Sequence, residues 1–123
     1  MESPTEVVRR FCGAWSDGKS APELAAFFTD DAVYHNIPLA PVTGREDIAT
    51  TIASFTAGVE GIEFRVLNLV GDGPVVMTER VDVFKLPDKS IALPVMGTFE
   101  VRDGKIAAWR DYFDMNQFTS QMG

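Results

Sequence analysis

A chain of 123 residues, 46% hydrophobic and 24% charged, has the composition of one folded domain, 1–123, and excludes a largely disordered polypeptide. Its formal net charge of −7, with 18 acidic residues against 11 basic, leaves no basic run to neutralise phosphates, so neither nucleic acid nor an anionic membrane is expected as a partner. A single cysteine excludes an intramolecular disulfide, and with only one histidine beside it no metal site is expected.

The opening MESPTEVVRR lacks the apolar stretch of a signal peptide, and no run approaches the ~20 apolar residues of a membrane span. With the lone thiol, these features lead to the expectation of a cytoplasmic protein. Ser3 as N-cap, Pro4 at the first helical position and Glu6 two residues on predict a helix. Its apolar positions Val7, Val8, Phe11, Ala14 and Trp15 recur at the helical period, and Asp17-Gly18 ends it. Cys12 falls among them, as a buried inert thiol. A second, short helix is predicted over Ala21–Phe28. A turn at Thr29-Asp30-Asp31 then leads to a strand over Ala32–Ile37. There Tyr34 and Asn36 share one face, and His35 points to the other as an ordinary exposed or hydrogen-bonded histidine.

Pro38 and Pro41 mark a loop before a third helix of about ten residues, whose stripe is Ile48, Ile52 and Phe55. Beyond Gly58 the pattern turns to sheet, with strands over 62–70, 75–86, 90–102 and 105–114. Asp103-Gly104 predicts a tight hairpin, Pro94 a bulged or edge strand, and Met115–Gly123 one last helical turn. The order is α+β: a curved mixed β-sheet with N-terminal helices packed on its concave face, enclosing a cone-shaped apolar pocket.

Thr78–Phe84 carries the most informative pattern. Strand alternation puts Val76, Thr78, Arg80, Asp82 and Phe84 on one face. An ion pair at i, i+2 between apolar neighbours stabilises little once desolvation is counted. Taken alone, it reads first as a cross-strand ion pair on a solvated face. The last strand repeats the motif, with Ala107, Trp109, Asp111 and Phe113 on one face and Ile106, Ala108, Arg110 and Tyr112 on the other. If these faces converge with Tyr34 and Asn36, the pocket floor holds two carboxylates, one guanidinium, one phenol and one amide. Arg80 can bridge both acids, whose pKa values then split into an acid and a base. Such a group suits proton transfer without a cofactor, and the residues alone leave open which acid does which job.

Tyr34-x-Asn36-x-Pro38-Leu39, Thr78-Glu79-Arg80-Val81-Asp82-Val83 and Trp109-Arg110-Asp111-Tyr112-Phe113-Asp114 together resemble the limonene-1,2-epoxide hydrolase family over nearly the whole chain. The resemblance implies a nuclear-transport-factor-2-like cone, a homodimer, and one-step hydrolysis of a small apolar epoxide by water to a vicinal diol, without cofactor or covalent intermediate. By the same resemblance Asp111 is the general base, Tyr34 and Asn36 help it hold the water, Asp82 is the acid, and Arg80 links the carboxylates. Leu39, Leu93, Val95, Phe113 and Phe118 would line the substrate pocket, with Phe84 added by strand parity. A ketosteroid-isomerase-like or polyketide-cyclase-like enzyme, or a non-catalytic binding domain, are the alternatives that the same cone admits.

Overall fold

Ser3 caps the first helix as its sequence requires in the computed structural model, which describes residues 2–123. Its hydroxyl accepts from the Glu6 amide (3.3 Å) while the Glu6 carboxylate accepts from the Ser3 amide (2.9 Å). This helix, α1, spans Pro4–Ser16 and buries Val7, Val8, Phe11, Cys12, Ala14 and Trp15. The second helix, α2, has the same kind of cap at Ser20 but stops at Ala25 (Ala21–Ala25), short of the predicted Phe28. The reason is tertiary. The Phe27 carbonyl accepts from the Ile106 amide at 2.8 Å, and Phe28 pairs with Ile106, so the chain is drawn into the sheet before another helical turn can close.

Strand β1 therefore runs over Phe28–Asn36, and the predicted turn at Thr29–Asp31 is the irregularity inside it. A two-residue strand, β2 (Val42–Thr43), pairs antiparallel with β1, and α3 follows over Arg45–Thr56. The remaining strands are β3 (Gly61–Asp72), β4 (Val75–Lys85), β5 (Ser90–Arg102) and β6 (Lys105–Tyr112), before a final helix α4 (Met115–Met122). They form one six-stranded sheet in the order β2-β1-β6-β5-β4-β3. Only the β1–β6 pairing is parallel, so the sheet is mixed. Asp103 and Gly104 both have positive φ (52° and 78°), as the tight β5–β6 hairpin demands.

Three expectations need correction. Pro94 does not bulge its ladder, since its pairing with Val81 of β4 is in continuous register; it lies instead on a local edge of an inner strand. Pairing of β5 with β6 starts only at Met96, so Pro94 occupies a stretch with one neighbour, where a missing N–H is tolerated. Ile106 does not face away from Trp109. A register shift between Glu100 and Val101 brings both side chains into the core, each at most 1% exposed. The tail is two turns of helix rather than one, because Asp114 caps it and β5 holds it. The Gln121 amide accepts from the Ala92 N–H (3.0 Å) and donates to the Ala92 carbonyl (2.9 Å), in the manner of a missing strand.

The concave face carries the core. Phe11 meets Trp15, Phe28 and Trp109 edge-on, with centroids 6.2, 5.4 and 5.0 Å away. A second cluster of Phe84, Ile91, Leu93 and Val95 lies beneath α4, with Phe113 and Phe118 packed against it. On the opposite face of the sheet Leu67, Val70, Met77, Met96 and Tyr112 are exposed. Val70 pairs with Met77 and Met96 with Tyr112, two apolar pairs between which Thr98 faces Met77 and Glu79 faces Met96.

Candidate active site

Strand register places the polar residues. Across four adjacent strands, Asn36 pairs with Asp111, Asp111 with Gly97, and Gly97 with Thr78. One step along, Tyr34 pairs with Trp109, and Arg80 and Asp82 of β4 lie opposite Val95 and Leu93 of β5. The solvated ion pair is thereby excluded as an account of Arg80 and Asp82. Arg80 is 1% exposed, and Asp82 and Asp111 are 4% exposed.

Every N–H of the Arg80 guanidinium has an acceptor. Nε and Nη2 donate to the two oxygens of Asp82 (3.0 and 2.9 Å), and Nη1 and Nη2 to those of Asp111 (3.2 and 2.8 Å). The fifth N–H, on Nη1, goes to the Thr78 hydroxyl at 3.1 Å. Both carboxylates are thus held bidentately by one cation, the geometry for which a guanidinium is suited and an ammonium is not. The Phe64 ring lies over the guanidinium carbon at 4.7 Å, a cation–π contact that covers its other side. The Trp109 indole donates to Asp111 Oδ1 at 2.7 Å. Its ring is fixed by stacking against Tyr34 (4.3 Å) and Phe99 (5.6 Å). Oδ1 of Asp111 therefore takes two protein donors and Oδ2 takes one, which leaves Oδ2 as the oxygen with a site for an incoming proton.

The electrostatics follow from this burial. Burial pushes the Asp82 carboxyl up, Arg80 pulls it back through hydrogen bonds and charge, and Asp111 pushes it up again. The balance lies at about 6, so Asp82 holds a proton well above the ordinary 3.8. Burial alone would disfavour the Arg80 charge, but the two carboxylates more than offset it and keep Arg80 cationic. Burial, then the nearby Asp111 charge, raises the Tyr34 phenol, which stays a neutral hydroxyl. Its oxygen accepts from the Asn36 side-chain amide at 3.0 Å. Burial likewise pushes the Cys12 thiol up to about 12, far from a nucleophilic thiolate.

A cavity of about 170 Å³ opens above this cluster. Tyr34, Asn36, Asp82 and Asp111 line it together with all six predicted wall residues: Leu39, Phe84, Leu93, Val95, Phe113 and Phe118. Arg80 does not line it, being enclosed between the two carboxylates and Phe64. Two broader hollows on the surface, one near Arg45 and one near Arg10, hold no buried charge. Sequence reasoning missed four wall residues: Trp15, Phe55, Phe64 and Met115. Phe64 pairs directly with Asp82 only because the β3–β4 register shifts between Val66 and Asn68; counted from the turn it would fall opposite Val83, so the sequence carried no signal for it. Trp15 and Phe55 sit on helical stripes that read as core, and Met115 opens the tail helix, which is longer than the single turn that the sequence predicts. His35 takes no part; its Nε2 is bonded to the Leu39 carbonyl. Among the described residues no three His, Cys, Asp or Glu side chains are grouped to hold a metal ion, and no helix is long and apolar enough to cross a membrane.

The family model described as the limonene-1,2-epoxide hydrolase catalytic domain matches residues 2–123. The epoxide hydrolase EphG of Mycobacterium tuberculosis is 37% identical over 86 residues, which is 70% of this chain but only 57% of that protein. The solved structure of an M. tuberculosis limonene-epoxide-hydrolase-like epoxide hydrolase superposes with a TM-score of 0.83 at 30% identity, over 95% of this chain and 86% of the other. A polyketide cyclase fold from Xanthomonas campestris superposes with a TM-score of 0.87 over 98% of this chain and 96% of the other. At 19% identity that likeness concerns the fold alone.

Proposed function

The chain belongs to the limonene-1,2-epoxide hydrolase family, and on that premise we propose that it adds water to a small apolar epoxide in one step, giving a vicinal diol. The observation that carries this reading is the pair of buried carboxylates bridged by Arg80 at the floor of an apolar cavity. Asp111 Oδ2 accepts a proton from a water held by Asn36 and Tyr34, and the water oxygen attacks one epoxide carbon. As that C–O bond forms, the ring C–O bond breaks and neutral Asp82 protonates the departing oxygen. Return of one proton from Asp111 to Asp82 resets the pair. A cofactor has no role in this scheme, and neither carboxylate forms an ester. The cavity accepts a compact substrate, because its walls are apolar apart from the reacting groups, so the epoxide oxygen is the one polar atom it needs to recognise.

Single-turnover hydrolysis in ¹⁸O-labelled water, over a panel of small epoxides, tests the scheme. Direct attack puts the label into the diol in the first turnover; an ester on Asp82 or Asp111 would deliver unlabelled carboxylate oxygen instead. No diol from any epoxide in the panel would overturn the reaction itself, and loss of activity on chelation would reject the metal-free scheme.

The same reading makes the protein a homodimer, with a second copy covering the apolar face of Leu67, Val70, Met77, Met96 and Tyr112. Light scattering at micromolar concentration is expected to give twice the chain mass, and Met96→Lys with Met77→Glu the single mass. A monomeric parent protein would reject the assembly and leave the chemistry untouched.

A further inference from the structure

Arg80 and Asp111 lie on strands β4 and β6, with β5 between them, so roughly 10 Å of sheet separates the two backbones. The guanidinium reaches Asp111 by crossing β5 on the concave face, and the residue that it crosses is Gly97. A Cβ placed on Gly97 would stand 2.5 Å from Arg80 Nη1, 2.7 Å from Asp111 Oδ1 and 2.9 Å from Thr78 Oγ1. Real Cβ atoms do not approach polar atoms so closely, and none of these three groups is free to retreat. Arg80 is engaged at all five donors, Asp111 is held by Arg80 and Trp109, and Thr78 is 1% exposed. The glycine is not there for its backbone, whose φ is not in the left-handed region. It is there because the ion cluster occupies the space of its side chain. Thr78 completes the arrangement from the other side: without its oxygen, one buried N–H of Nη1 would have no acceptor and the plane of the guanidinium no lateral stop.

We infer that Gly97 and Thr78 are positioning residues for the proton transfer proposed above, opening the lane through which Arg80 reaches Asp111 and fixing its plane there. Neither lines the cavity, and both act through Arg80. The inference rests on the epoxide-hydrolysis reading for its kinetics, but not for its electrostatics. The charged and titratable groups facing Asp82 are Arg80 on its own strand, Asp111 on β6, Tyr34 on β1 and Cys12 on α1. A guanidinium displaced from Asp111 leaves that carboxylate less compensated, and one displaced from both acids also removes the pull on Asp82. Either displacement moves the Asp82 titration upward.

The test combines steady-state kinetics with a ¹³C carboxyl NMR titration of Asp82 in the substrate-free protein, for Gly97→Ala, Thr78→Val and Thr78→Ser. Gly97→Ala is expected to lower kcat roughly 10²-fold, as an ångström-scale misplacement does, with KM changed much less because the apolar walls are intact. Thr78→Val keeps the shape and loses the acceptor, so kcat should fall about tenfold and Thr78→Ser should recover most of that loss. In Gly97→Ala and Thr78→Val the Asp82 titration should move above its parental position. If Gly97→Ala does not fold, the Val and Ser variants carry the test between them. Unchanged titration with near-parental kcat in the folded variants would overturn the inference, as would Thr78→Ser behaving like Thr78→Val. A shifted titration in a protein that hydrolyses no epoxide would instead reject the reaction and leave the positioning intact.

Discussion

Asp111→Asn folds and loses turnover by at least roughly 10²–10⁴-fold, the contribution expected of a positioned general base. The amide cannot take the proton of the attacking water. Its geometry also argues for a loss in this particular site. If the amide oxygen keeps the bonds from Trp109 and Nη1, the NH₂ group stands where Oδ2 was and faces the Nη2 donor at 2.8 Å. Two donors then confront each other in a buried place, so a stability loss of about 1–3 kcal/mol accompanies the kinetic one. Circular dichroism and thermal melting check that the variant is folded, and kcat/KM on the best epoxide measures the loss. Retention of more than about a tenth of parental turnover would remove Asp111 from the role of base.

The second large effect is that of Arg80→Gln. In the parent protein Asp82 titrates at about 6, so kcat/KM is expected to fall as the pH rises through that value and the acid loses its proton. Two of the influences on Asp82, the hydrogen bonds and the charge of Arg80, act downward. Removing them leaves burial and Asp111, which act upward, so the basic limb of the profile moves to higher pH in the variant. The limb belongs to the coupled pair and not to one residue, which is why its displacement matters more than its absolute position. Turnover falls as well, by roughly 10²-fold or more, because the two acids are no longer held in one plane by a shared fork. Stability follows the same sign. A carboxyl whose folded value lies above its ordinary 3.8 favours the folded state below 3.8, and that advantage is lost as the pH rises through about 6. In Arg80→Gln the loss extends to still higher pH, so the gap in melting temperature between variant and parent should widen from pH 5 to pH 8. Breaking a buried pair by removing one partner costs about 3–5 kcal/mol where both acids would be charged, and less where one is protonated. A pH–rate profile that coincides with the parental one, at near-normal turnover, would reduce Arg80 to a structural ion-pair partner.

The features legible in the amino-acid order are those that depend on neighbours along the chain. The cap at Ser3 and Glu6, the stripe of α1, the Asp103-Gly104 hairpin and the alternation that puts Thr78, Arg80 and Asp82 on one face are set by spacings of two to four residues, and each is found in the structure. The three short motifs carried the family. Contacts between strands distant in sequence decided the rest. Phe27 and Phe28 left the helix because Ile106 supplied a ladder partner, and Ile106 turned inward because the register shifts beside Val101. The tail became two helical turns because Ala92 offered an unpaired edge to Gln121. Above all, Gly97 reads in the sequence as one more glycine in a strand. Only the pairing of β4, β5 and β6 reveals that its missing side chain is the space through which Arg80 joins two carboxylates 29 residues apart, Asp82 and Asp111. Alternation specifies the face on which a side chain lies. Register, which sums over the whole sheet, specifies what it meets there.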